Sequence, residues 1–500
     1  MMTEIRRLPD ALRVRAQHQR DEIAHDDGRR ALSFAAWNDA ADALGGGLAA
    51  RGLRPGDRVL LPISNAYAVE MLIAVQGVLR AGGIACPVNP RLMPDEMAAY
   101  ARLIEPAMTI TDIPDRMADA GAGTVFAVDA MPSDPAALPD QAALDMTADA
   151  IILQTSGTTG GKLKGVVIAH PDLLGSTDGI SRQASRSMAH ALPLTGSGGA
   201  MAAGLQPIRS GATVYTMRKF DPEGFLQLVA EKKPDTIFLV PAMLRLILDL
   251  PNVADYNLTG TKWLITGSAP LPHDTVVRAL ALWPHMRMRN SYAMSEGGAA
   301  LSTTTREQLV KPGCVGKMAD TLELRDEEGK PVSQGQTGEI YGRQGKPRRY
   351  WRDEEATQAS FVGEWTRSGD LGYVDADGDL ILCGRSKELI IRGGYNITPL
   401  EIETVLHDHP AVKDAAVVGI GHEVLGEDVA AAVALATGAQ ASPEELEAWC
   451  RARLADNKVP RTILILDELP LNPNGKFLKR ELKPLLEEAA AARKVAATAR

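Results

Sequence analysis

Five hundred residues with 45% apolar content are more than one core fills, so at least two domains are expected, the larger of them composite. A net charge of −9 argues against a nucleic-acid binder, whose phosphate contacts need clustered Lys and Arg. Residues 1 to 22 lack the apolar centre of a signal peptide and no apolar run is long enough to span a bilayer, which points to a cytoplasmic protein.

Ser33 reads as the N-cap of a helix with Phe34, Trp37, Ala41, Leu44 and Leu48 on one face and a Gly52 stop, although Gly45 to Gly47 weaken it. Strand, helix and strand follow over Asp57 to Pro62, Val69 to Leu79 and Gly83 to Val88, a βαβ rhythm that implies a parallel sheet covered by helices. The rhythm continues through Ala107 to Thr111, Thr124 to Val128, Ala212 to Thr216 and Thr236 to Val240. An ADGD turn at 376 to 379, flanked by Tyr373-Val374 and Leu380 to Leu382, predicts a short antiparallel ribbon. Arg385-Ser386-Lys387-Glu388 then interrupts the apolar pattern and marks the start of a smaller α/β domain. There Pro399 to Leu406 and Ser442 to Leu454 read as helices, Asp414 to Gly419 and Val429 to Leu435 as strands, and Leu485 to Arg500 as a surface helix. Cys86, Cys314, Cys383 and Cys450 lie far apart with no CxxC pair and read as buried, reduced thiols.

The most informative stretch is LQTSGTTGGKLKGVVIAH, Leu153 to His170. An apolar strand, Ala150 to Leu153, leads into Thr155, Ser156, Gly157, Thr158, Thr159, Gly160 and Gly161. Glycines admit an anion to the backbone N–H groups, hydroxyls add donors, and Lys162 and Lys164 add charge, which together describe a polyphosphate cradle. A Walker A loop is excluded, because neither lysine is followed by Ser or Thr. Two further signals are TGSAPL, ending a strand at Gly267, and NSYAMSE, which sets Tyr292 close to Glu296.

In order along nearly the whole chain, these segments resemble the adenylate-forming superfamily of acyl-CoA synthetases, nonribosomal adenylation domains and luciferases. TSGTTG with a following lysine resembles the family's phosphate loop, TGSAPL its adenine-side turn, and SYAMSE its Tyr-Gly-x-Thr-Glu. RSGD resembles its ribose-binding segment, GRSKELIIRGGYNITPLEIE its hinge and thiol-acceptor loop, and NPNGK its catalytic-lysine loop. The resemblance implies an α/β fold: an N-terminal adenylation domain, 1–386, of parallel-rich sheets under helices, and a mobile C-terminal α/β domain, 387–500. It implies a ligase that joins a carboxylic acid to AMP and then to CoA, using ATP and Mg2+. Lys476 would bridge the carboxylate and the α-phosphate, Glu296 would hold the metal, and Lys164 or Lys162 would serve the phosphates with Thr155 to Gly160. Gly267, Ser268, Ala269 and Pro270 would line the adenine together with Asn290, Ser291, Tyr292, Ala293, Met294 and Ser295, Tyr292 stacking on it. Asp370 would take the ribose hydroxyls with Arg385. Lys387 would be the hinge, and Gly393, Gly394 and Tyr395 would line the CoA tunnel.

The phosphate loop, GGKLKG, is one residue longer than the family's and lacks its proline. Ser295 stands for threonine and Ala293 for glycine. In ALPLTGSGGAM, Thr195 and Gly196 occupy the places of an aromatic and a histidine, so Thr195, Gly196, Ser197 and Ala293 are expected to form a small-residue acyl wall. No aspartate lies there to pair with an α-amino group, and an unpaired ammonium in an apolar pocket is costly, which argues against amino acids. The expected partners are a small-molecule carboxylic acid, ATP and CoA, with no nucleic acid and no membrane span; a homodimer is admitted. A carrier protein in place of CoA, and a silent nucleotide-binding homologue, are the alternatives.

Overall fold

Ser33 caps its helix as its position predicts: its Oγ accepts from Ala36 N at 3.2 Å, and the helix runs Phe34–Ala50, unbroken by its three glycines. A computed structural model describes residues 5–118, 120–145, 147–156, 163–174, 187–297, 300–343, 348–470 and 477–498. The glycines have a packing reason. A Cβ on Gly46 would lie 1.9 Å from Asp134 O, and one on Gly47 2.5 Å from Pro132 C, so the 132–138 segment lies directly on the bare helix backbone. Contact along that face offsets the helix propensity that glycine loses, about 1 kcal/mol per residue.

The first long helix packs against a second, Ala68–Arg80, with Trp37 Nε1 donating to Leu72 O at 3.1 Å. Their apolar faces share one core with strands of the two parallel-rich sheets. One sheet runs Arg349–Tyr350, Leu163–Ala169, Asp149–Ser156, Ile84–Pro87, Arg58–Leu61, Met108–Thr111, Thr124–Ala127; its last five strands are parallel. The other runs Ala300–Thr303, Arg287–Ala293, Trp263–Gly267, Thr236–Leu239, Met188–His190, Val214–Thr216, Ile23–Asp26, Ala31–Ser33, antiparallel only at its two edges. Helices on both sides explain why these strands read as continuous apolar runs.

The third sheet is antiparallel throughout, and its strands Trp365–Val374 and Asp379–Arg385 extend the ADGD hairpin well beyond the short ribbon expected. The fourth is formed by Tyr395–Ile397, Ile390–Arg392, Gly426–Leu435, Val412–His422 and Thr462–Leu466, with the helix Pro399–His407 on one face and Lys479–Thr498 on the other. The chain is thus α/β, with a large N-terminal and a smaller C-terminal part.

Three local readings need correction. Thr155 and Ser156 belong to the strand Asp149–Ser156 instead of the loop, because Leu163–Ala169 pairs back onto it with Thr155 opposite Lys164. Leu8–His18 is a helix that periodicity missed, its apolar face being interrupted by Arg15, a buried guanidinium that donates to Ile208 O and Arg209 O. Cys383 is only half-buried, unlike the other three thiols. Among the described residues, no helix is long and apolar enough to cross a membrane.

Candidate active site

Gly267 and Tyr292 stand at the C-terminal ends of neighbouring parallel strands, where open α/β sheets place their ligands, and the antiparallel third sheet brings Asp370 and Arg385 to them. Trp263–Gly267 and Arg287–Ala293 run side by side with Gly267 opposite Ser291. A Cβ on Gly267 would approach Ser291 O to 2.6 Å, so only glycine fits, and Ser268 follows in the left-handed region at φ 70°. That conformation is uncommon for a non-glycine residue and turns the exposed Ser268 and Pro270 out of the sheet. A methyl on Gly198 would lie 3.5 Å from Ser268 Oγ, so the Thr195–Gly198 stretch borders this turn. Thr195 is buried, and Gly198–Gly204 is π-helical, a form that recurs at functional sites.

Along Arg287–Ala293, Asn290 is buried and its N–H donates to Thr304 Oγ1. Tyr292 and Met294 rest against the core of the third sheet. The Tyr292 hydroxyl donates to Asp370 Oδ2 at 2.7 Å, and Arg385 Nε lies 3.0 Å from Asp370 Oδ1. Asp370 and Arg385 face each other across paired strands, which fixes that ion pair by register. Burial, then the charge of Asp370, pushes the Tyr292 phenol well above its ordinary range, so it stays a donor at neutral pH. Thus three residues far apart in sequence, Tyr292, Asp370 and Arg385, form one polar cluster. The carboxylate at its centre is a fitting acceptor for a vicinal diol.

A second cluster lies just past that strand. The Tyr350 hydroxyl donates to Glu296 Oε1 at 2.9 Å, and Lys164 Nζ sits 4.7 Å from the centre of the Tyr350 ring, a cation–π distance. Tyr350 is pushed up first by burial and then by Glu296. Arg348, also buried, donates to Ser295 O at 2.5 Å; burial depresses its pKa, and the charges of Asp172 and Glu296 oppose that. Sequence reasoning missed both Tyr350 and Arg348. The available signal was the run PRRYW, an aromatic among cations. What positions it is the pairing of Arg349–Tyr350 with Leu163–Ala169, reinforced by the ion pair of Arg349 with Asp149 at 2.5 Å.

The Gly393-Gly394 pair has positive φ at both residues, 57° and 84°, and joins Ile390–Arg392 to Tyr395–Ile397 in a two-residue hairpin that only glycine accommodates readily. Tyr395 next to it is 63% exposed, and Lys387 lies in the 3-10 turn Ser386–Glu388. Arg245, in the helix Pro241–Leu248, donates to Asp414 Oδ1 at 3.1 Å and to Lys413 O, fastening the fourth sheet to the large part of the chain. Gly157, Thr158, Thr159, Gly160, Lys162 and Lys476 lie outside the described residues.

Asp375, Asp377 and Asp379 bring three carboxylates together, yet Lys311 Nζ reaches all of them, at 2.9, 2.6 and 2.6 Å, and Lys317 adds a second ammonium at Asp379. Two ammoniums offset most of the charge of the three carboxylates within the chain, and the cluster staples the hairpin turn.

The comparisons agree with this architecture. Residues 12–346 match the model of the AMP-binding enzyme family and 401–476 that of the AMP-binding enzyme C-terminal domain. The chain is 32% identical over 493 residues to a 2-succinylbenzoate–CoA ligase of Geobacillus kaustophilus, covering 96% of this chain and 98% of the relative. It is also 32% identical over 477 residues to a feruloyl-CoA synthase of an Amycolatopsis species, covering 91% and 94%. Among solved structures, ATP-bound MatB from Rhodopseudomonas palustris superposes with a TM-score of 0.86 at 27% identity, covering 97% of this chain and 99% of that one. The chain belongs to the AMP-binding enzyme family, within the adenylate-forming superfamily.

Proposed function

We propose that the chain is an ATP-dependent carboxylic acid:CoA ligase. It activates an acid as acyl-AMP with release of pyrophosphate, then forms the thioester after its small domain, 387–500, turns on the large one, 1–386. The observation that carries this reading is the pair of clusters flanking one strand end. Asp370 with Tyr292 and Arg385 suits the ribose, and Glu296 with Lys164 suits the phosphates.

A carboxylate is a poor acyl donor because oxide leaves badly. Activation requires its oxygen to attack the α-phosphate, so two anions must meet and catalysis consists of charge neutralisation and positioning. Lys476 supplies the charge at the meeting point, and Lys164 and the loop N–H groups of 157–160 hold the departing pyrophosphate. One carboxylate beside a polyphosphate fits magnesium, an ion usually bound through one or two carboxylates plus substrate phosphates, so Glu296 would hold it. There it would neutralise charge on the phosphates. The 195–198 stretch and Ala293 border the acid. Thiol attack uses a different direction at the same carbon. The small domain must then release the Arg245–Asp414 contact to bring Gly393, Gly394 and Tyr395 to the site.

The deciding experiment is a pyrophosphate-release screen over short, medium, branched and aromatic acids, with and without CoA. Acid-dependent release with thioester formed on CoA supports the ligase; release with transfer only to a phosphopantetheine carrier protein assigns the other acceptor; no release with any acid removes the reading. Within this scheme Tyr350→Phe keeps the ring beneath Lys164 and deletes the hydrogen bond to Glu296. It is expected to raise the magnesium concentration for half-maximal adenylate formation about tenfold, the worth of one hydrogen bond to a charged group. An unchanged magnesium requirement would show that Glu296 is placed without it.

A further inference from the structure

The connection between the large and small parts is short. Ser386 Oγ donates to Gly369 O at 3.2 Å, on the large side, whereas Glu388, two residues on, is bonded to the small side through Lys479 Nζ at 2.6 Å. The same ammonium lies 2.9 Å from Glu403 Oε1, which also accepts from Val417 N in the fourth sheet. Burial alone would lower the Lys479 pKa, and Glu403 and Glu388 together raise it instead, so the ammonium is held charged between two carboxylates. Lys479 opens the helix Lys479–Thr498, whose Leu482 and Leu486 are fully buried against Ala416, Val418 and Ala430. One residue earlier, Leu478 N donates to Pro470 O at 2.8 Å and closes the base of the segment that carries Lys476.

We propose that Lys479 is a positioning residue: its clamp between Glu388 and Glu403 makes the base of the Lys476 segment and the chain just past Lys387 one rigid body. The proposal rests on the ligase reading and adds to it the coupling between hinge and lysine. A turn at Lys387 then moves Pro470 and Leu478, the bonded pair that flanks Lys476, together with the hinge. Removing the ammonium leaves two carboxylates repelling each other at the root of the segment. A displacement of about 1 Å at the reacting atoms costs about 100-fold in rate.

The test measures the two half-reactions separately in Lys479→Met, Lys479→Arg and Glu388→Gln, with the thermal midpoint of each. Lys479→Met is expected to slow acid-dependent pyrophosphate–ATP exchange by about 10- to 100-fold while thiolysis of a supplied acyl-adenylate stays within about threefold. Lys479→Arg, which keeps the charge, is expected to recover most of the exchange. Glu388→Gln, which keeps the shape and weakens only one arm of the clamp, is expected to show a smaller loss confined to exchange. Equal loss of both half-reactions in Lys479→Met, or full exchange in that variant, overturns the proposal. Exchange by the unmodified chain, run alongside, decides the ligase reading independently, and its absence with every acid removes both.

Discussion

Lys476→Ala is expected to lower acyl-adenylate formation by about 1,000-fold, the cost of deleting one preorganised charge from a transition state in which two anions meet. The same variant is expected to convert a supplied acyl-adenylate and CoA to thioester at nearly the unmodified rate. The reason lies in the order of events. The lysine neutralises charge only while the carboxylate attacks the α-phosphate, and once AMP is bonded to the acid no second anion approaches that centre. Single-turnover assays of each half-reaction check this directly. Comparable losses in both steps would falsify the assignment and make Lys476 a structural residue. Separate Lys164→Ala and Lys162→Ala variants locate the phosphate lysine: the larger rise in the KM for ATP is expected for Lys164, which sits over the Tyr350 ring whose hydroxyl is bonded to Glu296.

Folding stability is expected to fall steeply below neutral pH. His25, His170 and His190 are buried, and desolvation holds each at about 3, against an ordinary 6.5. His25 and His190 share the Thr216 hydroxyl, at 2.9 and 2.7 Å from their Nε2 atoms. His190 Nδ1 accepts from Leu192 N, so its proton sits on Nε2 and points at Thr216, whose own proton then goes to His25. Among the described residues, no carboxylate stands beside either ring to offset a second proton. Above pH 6.5 these groups are neutral in both folded and unfolded chains and have no effect. Between 6.5 and 3 the unfolded chain binds protons that the folded chain does not, and each histidine removes about 1.4 kcal/mol per pH unit. From pH 7 to pH 5 this amounts to about 2 kcal/mol per histidine, a large part of a typical folding stability when taken three times. Urea unfolding at the two pH values checks it, and equal stabilities would show that these rings are protonated in the folded chain. His170→Gln is expected to flatten the slope by about one proton.

The residues themselves settled the elements whose stability is local. The Ser33 cap, the Ser442 cap with its oxygen accepting from Glu445 N at 3.1 Å, and the apolar strands of both parallel-rich sheets all follow from side-chain chemistry within a few residues. The superfamily was legible for a related reason: its segments keep short, ordered combinations of glycine, hydroxyl and charge that need no tertiary information to read. The candidate groups Tyr292, Asp370, Arg385 and Glu296 could likewise be named in advance, each standing in such a segment.

Only the tertiary structure decided which of them meet. The bond from Tyr292 to Asp370 joins two sheets, and Tyr350 reaches Glu296 because an edge strand pairs with Leu163–Ala169; neither contact has a sequence period. Gly45 to Gly47 look like breaks in a helix until the 132–138 segment is laid across them. The three aspartates of 375–379 resemble a cation site until Lys311 arrives from a distant turn. Caps and periodicities depend on neighbours along the chain, so a sequence specifies them directly. Register between distant strands, and the charge that ends up beside another, depend on how whole sheets pack, and that is fixed only when the core closes.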